Sequence, residues 1–238
     1  MEAASPQDLE VTPGVSLGQW LYDELGEEVL FETEPWALER VERVLARLTP
    51  QRPGKRALRV VIPSVTSVAA FTAPGPFIFF NRGLYQLCPD DDTTAFVIAH
   101  EIAHHDLGHL SLVPDWMGRM ARRWSGKIAV MIAGAVTKRL YGPERECDAD
   151  LYALRLCMKA GYDPERCLHL FLVLENYFLD HGDISAVVGT DAESDQELEP
   201  TASRVTKLRV WAYQRMRGYL PVRDRLFTLR RAAGLPTP

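Results

Sequence analysis

Only six histidines occur in the 238 residues, and four of them (His100, His104, His105, His109) crowd into ten positions. Within that cluster, His100-Glu101-Ile102-Ala103-His104 has the form HExxH. On a helix, four residues advance by about 400°, so both imidazoles leave one face a turn apart, within reach of a single Zn²⁺. Glu101 stands beside them, where it can take a proton from water on the metal and hand it to a leaving amine. The chemistry implied by this spacing is metal-assisted hydrolysis of an amide. Two histidines merely packed on an amphipathic helix are the plainer alternative, and a third ligand decides between the two.

Catalytic zinc takes three protein ligands and keeps one position open. The HExxHxxGxxH arrangement would need glycine at position 107 and histidine at position 110, where this chain has Leu107 and Leu110. Gly108 falls one place late and His109 one place early, which turns that ring by about 100°. That arrangement is rejected, and His105 and His109 are read as structural or solvent-facing. The other arrangement draws a glutamate from a later helix, and Arg145-Glu146-Cys147-Asp148-Ala149-Asp150 offers one. Glu146 and Asp150 are four apart and share a helical face. Glu146 is the candidate third ligand, and Asp150 can accept an N–H from a ligating histidine and fix its tautomer. A solvated acidic face competes with this reading. Cys88 precedes the motif closely, as in deformylase-type sites, but lacks their surroundings and is set aside.

These residues need elements to hold them. Asp90, Asp91 and Asp92 supply the N-cap and first-turn acids for a helix over residues 93–110, so the HExxH stretch falls late in it. Gly142-Pro143 opens another helix that closes at Gly161, a left-handed glycine, and carries Glu146 and Asp150. Asp163-Pro164 opens the next, to about residue 180, with Leu168, Phe171, Leu172, Leu174 and Phe178 for burial. Upstream, Ser16 is read as the cap of a helix to residue 30. A second helix over 35–48 has Pro35 at its first position and Trp36, Val41, Val44, Leu45 and Leu48 on one face. Strands are expected over 58–62, 65–72 and 77–80. The predicted class is α+β, predominantly helical, with a leader over residues 1–15 and a single domain over 16–238.

Composition sets the outer bounds. With 47% hydrophobic and 25% charged residues, net charge −5 and a pI near 5.7, the chain is a folding one and is not collagen-like or wholly disordered. The mildly acidic total argues against an overall grip on nucleic acid. The longest apolar run covers residues 128–136, well short of the roughly 20 residues a membrane span needs. The first residues have no apolar signal region, and the four cysteines form no CxxC pair, so a reduced, cytoplasmic setting is expected. The net charge averages two opposed segments. Residues 180–199 carry seven acids and no Lys or Arg, and read as an acidic loop. Residues 201–238 carry nine basic residues against Asp224 alone and read as helical.

Taken together, these motifs resemble the HtpX-type metallopeptidases, related to the CAAX prenyl proteases (family forty-eight of the metallopeptidases). That pattern is HExxH, often a further His five residues on, then ExxxD on a downstream helix, here His100, Glu101, His104, His109, Glu146 and Asp150. The run from Ala70 through Leu84 resembles the family's upstream strand segment, and Ala160-Gly161-Tyr162-Asp163-Pro164 the stretch after the glutamate helix. The resemblance covers about residues 35–210. It implies a zincin (thermolysin-like) core with a small antiparallel sheet beside the HExxH helix. It further implies one zinc held by His100, His104 and Glu146, with Glu101 as general base. A strand near the site, Phe77, Ile78, Phe79 and Phe80, would pair with an extended substrate. Arg204 matches an arginine near the active site, with a transition-state or gating role. Two departures stand out: Ala69 replaces a frequent asparagine, and Leu198 and Glu199 stand where a His-Pro pair is common.

The reading is therefore a zinc-dependent endopeptidase acting on polypeptides, with no nucleic-acid partner and no membrane span, peripheral membrane contact being left open. Arg204, His169 and His181 are the candidates for the oxyanion partner. The alternative is a gluzincin-like zinc scaffold with latent or no peptidase activity that acts through protein binding. It is motivated by the acidic segment abutting the basic one.

Overall fold

The computed structural model describes residues 13–54, 56–112, 127–181 and 222–237. Pro13 begins the first helix, α1 (Pro13–Glu28). Ser16 thus lies inside α1 rather than capping it, because a proline with its fixed φ and missing N–H is at home in the first turn. Residues 1–12 of the expected leader lie outside the described residues. Helix α2 (Pro35–Leu48) has the expected bounds and buries Ala37, Val41, Val44 and Leu48, while Trp36 is exposed and leans on Tyr85. Three short strands follow, β1 (Arg59–Val61), β2 (Ala70–Thr72) and β3 (Phe77–Phe80), then a short helix α3 (Arg82–Leu87). Helix α4 (Asp91–Asp106) carries HExxH, and a 3₁₀ turn (His109–Leu112) follows it. Helix α5 (Lys127–Lys159) bends at Gly142, α6 (Pro164–His181) packs back, and α7 (Val222–Ala232) closes the described chain.

The sheet differs from the expected one in two ways. Its order is β1-β3-β2, with β1 parallel to β3 and β2 antiparallel to it, so it is mixed rather than antiparallel. The four residues between β2 and β3 permit only a hairpin, and β3 then slots between β2 and β1. The second correction concerns Phe77, Ile78, Phe79 and Phe80. All four are buried, and both edges of their strand are paired, Val60 opposite Ile78 on one side and Phe71 opposite Phe79 on the other. An unbroken apolar run marks a strand covered on both faces, and with a partner strand on each side β3 has no edge left for a substrate. Among the described residues, the free edge next to the HExxH helix belongs to β2.

Both faces of β3 are used. Phe77 and Phe79 join Phe71 and Ala73 under Leu17, Leu21 and Leu25 of α1. Ile78 and Phe80 face the larger core built from α2, α4, α5, α6 and α7, including Val44, Ile98, Ile102, Leu154, Leu168 and Leu229. The result is a three-layer arrangement with the sheet in the middle, and α4 runs through the larger core as its axis. No helix of the described residues is long and apolar enough to cross a membrane, and all four cysteines are free.

The C-terminal end of α4 is anchored by charge. Arg52 donates Nη2–H to Asp106 Oδ1 at 2.5 Å and Nε–H to Oδ2 at 3.1 Å, and the Tyr152 hydroxyl donates to Oδ2 at 2.5 Å. The Arg52 and Asp106 side chains are only 1% and 3% exposed. Asp106→Ala strands the buried guanidinium, and breaking such a pair destabilises by about 3–5 kcal/mol. Thermal unfolding of the variant checks this, and a loss under about 1 kcal/mol would mean the pair behaves like a surface one.

Candidate metal centre

Two helices, α4 and α5, supply the site's donors, each shaped by local sequence. Asp90 accepts from the Thr93 backbone N–H at 2.9 Å in a capping box, and Asp91 and Asp92 occupy the first turn, so α4 starts firmly at its positive end. From Ala95 to Ala103 this helix is buried on almost every side. At its far end Gly108 takes φ +73°, a left-handed conformation suited to glycine, and turns the chain back on itself. That reversal brings His109 against His104, their Nδ1 atoms 3.0 Å apart. On α5, Gly142 at φ +65° and ψ 168° breaks the helix, and the stretch after Pro143 runs beside α4. Glu146 and Asp150, one turn apart on it, face the histidines.

The structure brings His100, His104 and Glu146 together, with donor atoms all within 4.8 Å of one another. His100 Nε2 is 3.2 Å from His104 Nε2 and 3.3 Å from Glu146 Oε2, and His104 Nε2 is 3.7 Å from Glu146 Oε1. A tetrahedral zinc with bonds near 2.1 Å requires ligand atoms about 3.4 Å apart, so the triangle has the edges zinc demands. On its other nitrogen, His100 Nδ1 lies 3.0 Å from Asp150 Oδ1. A carboxylate accepts only, so Nδ1 carries a proton, and Nε2, aimed at Glu146 and His104, is the nitrogen left to ligate a metal that displaces its proton. His104 also directs its Nε2 into the triangle, while its Nδ1 is turned to His109.

The electrostatics favour a cation. Burial opposes charge on His100, but hydrogen bonds and charge from Asp150 and Glu146 outweigh it and push the ring's pKa up to about 10. Burial would raise Asp150, yet the Arg225 charge and the bonds from His100 and Arg225 hold it down at about 2. His104 goes far below the ordinary imidazole value, through burial first and then the neighbouring His100 and His109. Without a metal the cluster thus wants one positive charge and has no room for two protonated rings. The donor set, two imidazoles and a carboxylate, suits zinc.

Glu101 shares α4 with the two histidines and is 6% exposed. His105, adjacent in sequence, points away from the donor triangle. Its Nε2 is 2.6 Å from Thr72 Oγ1, whose hydroxyl also donates to the Phe77 carbonyl at 2.9 Å. Burial, with Arg56 and Arg52 nearby, lowers His105 to about 4, so it is a neutral ring tying α4 to β2. His109 is buried. His169 is exposed on α6. Arg204 and residues 182–199 of the acidic loop lie outside the described residues, as does the side chain of His181.

One residue escaped the sequence reading. Arg225 on α7 donates Nε–H to Asp150 Oδ2 at 2.6 Å and Nη2–H to Oδ1 at 2.7 Å, and its guanidinium covers the Phe171 ring at 5.2 Å. It is one of nine basic residues in the C-terminal segment, and nothing in its spacing singles it out.

Comparison with known proteins follows the same lines. Residues 31–212 match the family described as peptidase family M48. The mitochondrial metalloendopeptidase OMA1 of Saccharomyces cerevisiae is 25% identical over 131 residues, covering 52% of this chain and 38% of the yeast protein. The similarity thus spans well under half the length of that relative.

Proposed function

The chain belongs to peptidase family M48, and from that premise we propose that it is a zinc-dependent endopeptidase whose metal is held by His100, His104 and Glu146. The observation that carries this reading is the donor triangle, with edges of 3.2, 3.3 and 3.7 Å. When bound there, zinc supplies Lewis acidity, making water a nucleophile near neutral pH and polarising a carbonyl. The chain's own residues do the rest. Asp150 holds the His100 ring in the tautomer that leaves Nε2 free, and His109 does the same service for His104. The Glu101 carboxylate takes a proton from the attacking water and returns it to the departing amine nitrogen. The Thr72–His105 bond sets the β2 edge against α4, where an extended polypeptide can add a strand.

The test is cleavage of casein, an unstructured protein, with and without a chelator. Cleavage should stop on chelation and return on adding zinc. Cleavage that persists in excess chelator would refute a metal-dependent reaction.

A further inference from the structure

We infer that Arg225 is a positioning residue of the metal centre, acting on His100 through Asp150, and that seating of the C-terminal helix α7 and zinc binding are therefore linked. The inference rests on the metal reading above. Asp150 is 2% exposed, and a carboxylate so buried must have its lone pairs met. Its Oδ1 accepts from both His100 Nδ1 at 3.0 Å and Arg225 Nη2 at 2.7 Å, and its Oδ2 accepts from Arg225 Nε at 2.6 Å. The planar guanidinium fork fixes the plane of the carboxylate in a way a single bond cannot. Fixing that plane fixes the direction in which His100 Nδ1–H must point, and so aims Nε2 at the donor triangle. Arg225 also cancels the Asp150 charge, so the aspartate orients the histidine without adding a net negative charge beside the metal.

The position of Arg225 makes this more than local support. It lies beyond the segment that matches the family, which ends at residue 212. It is carried by α7, whose apolar face (Leu226 and Leu229) is packed into the main core. The Phe171 ring flanks the guanidinium from α6. Residues from α4, α5, α6 and α7 thus bear on one carboxylate. By linkage, whatever seats Arg225 raises zinc affinity, and zinc in turn holds α7 down.

The experiment measures zinc affinity by competition with a chromophoric chelator on the full chain. It compares wild type, Arg225→Met, Arg225→Lys, Asp150→Asn and the Arg225→Met/Asp150→Asn double variant. Circular dichroism of each metal-free protein reports the fold. Loss of an outer partner typically lowers metal affinity 10–100-fold, so Arg225→Met should fall by about that factor, with Arg225→Lys recovering part of the loss. In the Asp150→Asn background, Arg225→Met should add little, because the carboxylate it acts through is gone. A merely structural arginine would give multiplying losses and no recovery with lysine. Hydrogen exchange over residues 222–232 should slow on zinc addition in wild type but not in Arg225→Met. Wild type that takes up no zinc overturns the metal reading and this inference together. Wild-type uptake with unchanged Arg225→Met affinity, or with independent losses in the double variant, overturns this inference alone. If Arg225→Met does not fold, Arg225→Lys alone and paired with Asp150→Asn decides by the same criteria.

Discussion

Glu101→Gln should keep about one zinc per chain and lose casein cleavage by about 10²–10⁴-fold, the usual contribution of a positioned general base. The substitution changes almost nothing but proton chemistry. Glutamine has the shape of glutamate, the side chain is buried on α4, and the donor triangle is complete without it. The amide cannot take a proton from water, so the attack loses its base and the departing amine loses its acid. Metal analysis and initial rates on the same preparation provide the check. Rates equal to wild type would remove Glu101 from the reaction. Loss of zinc together with activity would instead make Glu101 part of the metal's support.

Removal of a donor should have the opposite signature. His104→Ala and Glu146→Ala should lose zinc and activity together, with affinity falling by more than the roughly 100-fold that loss of an outer partner causes. His104 is 2% exposed and Glu146 is 5% exposed, so water reaches the vacated corner poorly and cannot fully replace the lost donor. His105→Asn is the control. Its ring bonds to Thr72 and not to the triangle, so zinc content should hold. Normal zinc in either donor variant would redraw the site.

The legible parts of the site were those carried by local spacing. An i,i+4 pair on one helix projects the same way whatever the fold, so His100 with His104, and Glu146 with Asp150, could be paired from sequence. Their meeting across α4 and α5 could only be expected from chemistry, since nothing local aims one helix at another. Arg225 was illegible for the same reason magnified: it reaches Asp150 from 75 residues away and hides among other arginines. His109 shows the middle case. Its distance in sequence from His104 ruled out the last ligand position of the HExxHxxGxxH arrangement, but only the Gly108 reversal shows that it comes back to His104 instead.

The helices were read more closely than the sheet. Pro35, Asp90 and Gly161 are start and stop signals with their own physics, and the start of α2, the start of α4 and the end of α5 follow them within a few residues. Strands of three or four residues carry no such marks, and their neighbours are set by chain crossings rather than by composition. One signal was present and outweighed: the apolar run Phe77–Phe80 lacks the alternation of a half-exposed strand. It argued for the centre of a sheet, while the family resemblance suggested a strand open to substrate.

If a polypeptide adds to the sheet as proposed, the strand order sets what the site can select. The edge beside α4 is β2, three residues long, or about 10 Å of chain at 3.3 Å per residue. So short a rail can engage only two or three peptide units. It offers little room for reading side chains in series, but it demands backbone groups that are not already hydrogen-bonded elsewhere. A polypeptide tucked into its own helices or sheets has none to spare. Selection at this site would therefore fall on the conformational state of a target more than on its letters, favouring loops, tails and chains that have come unfolded.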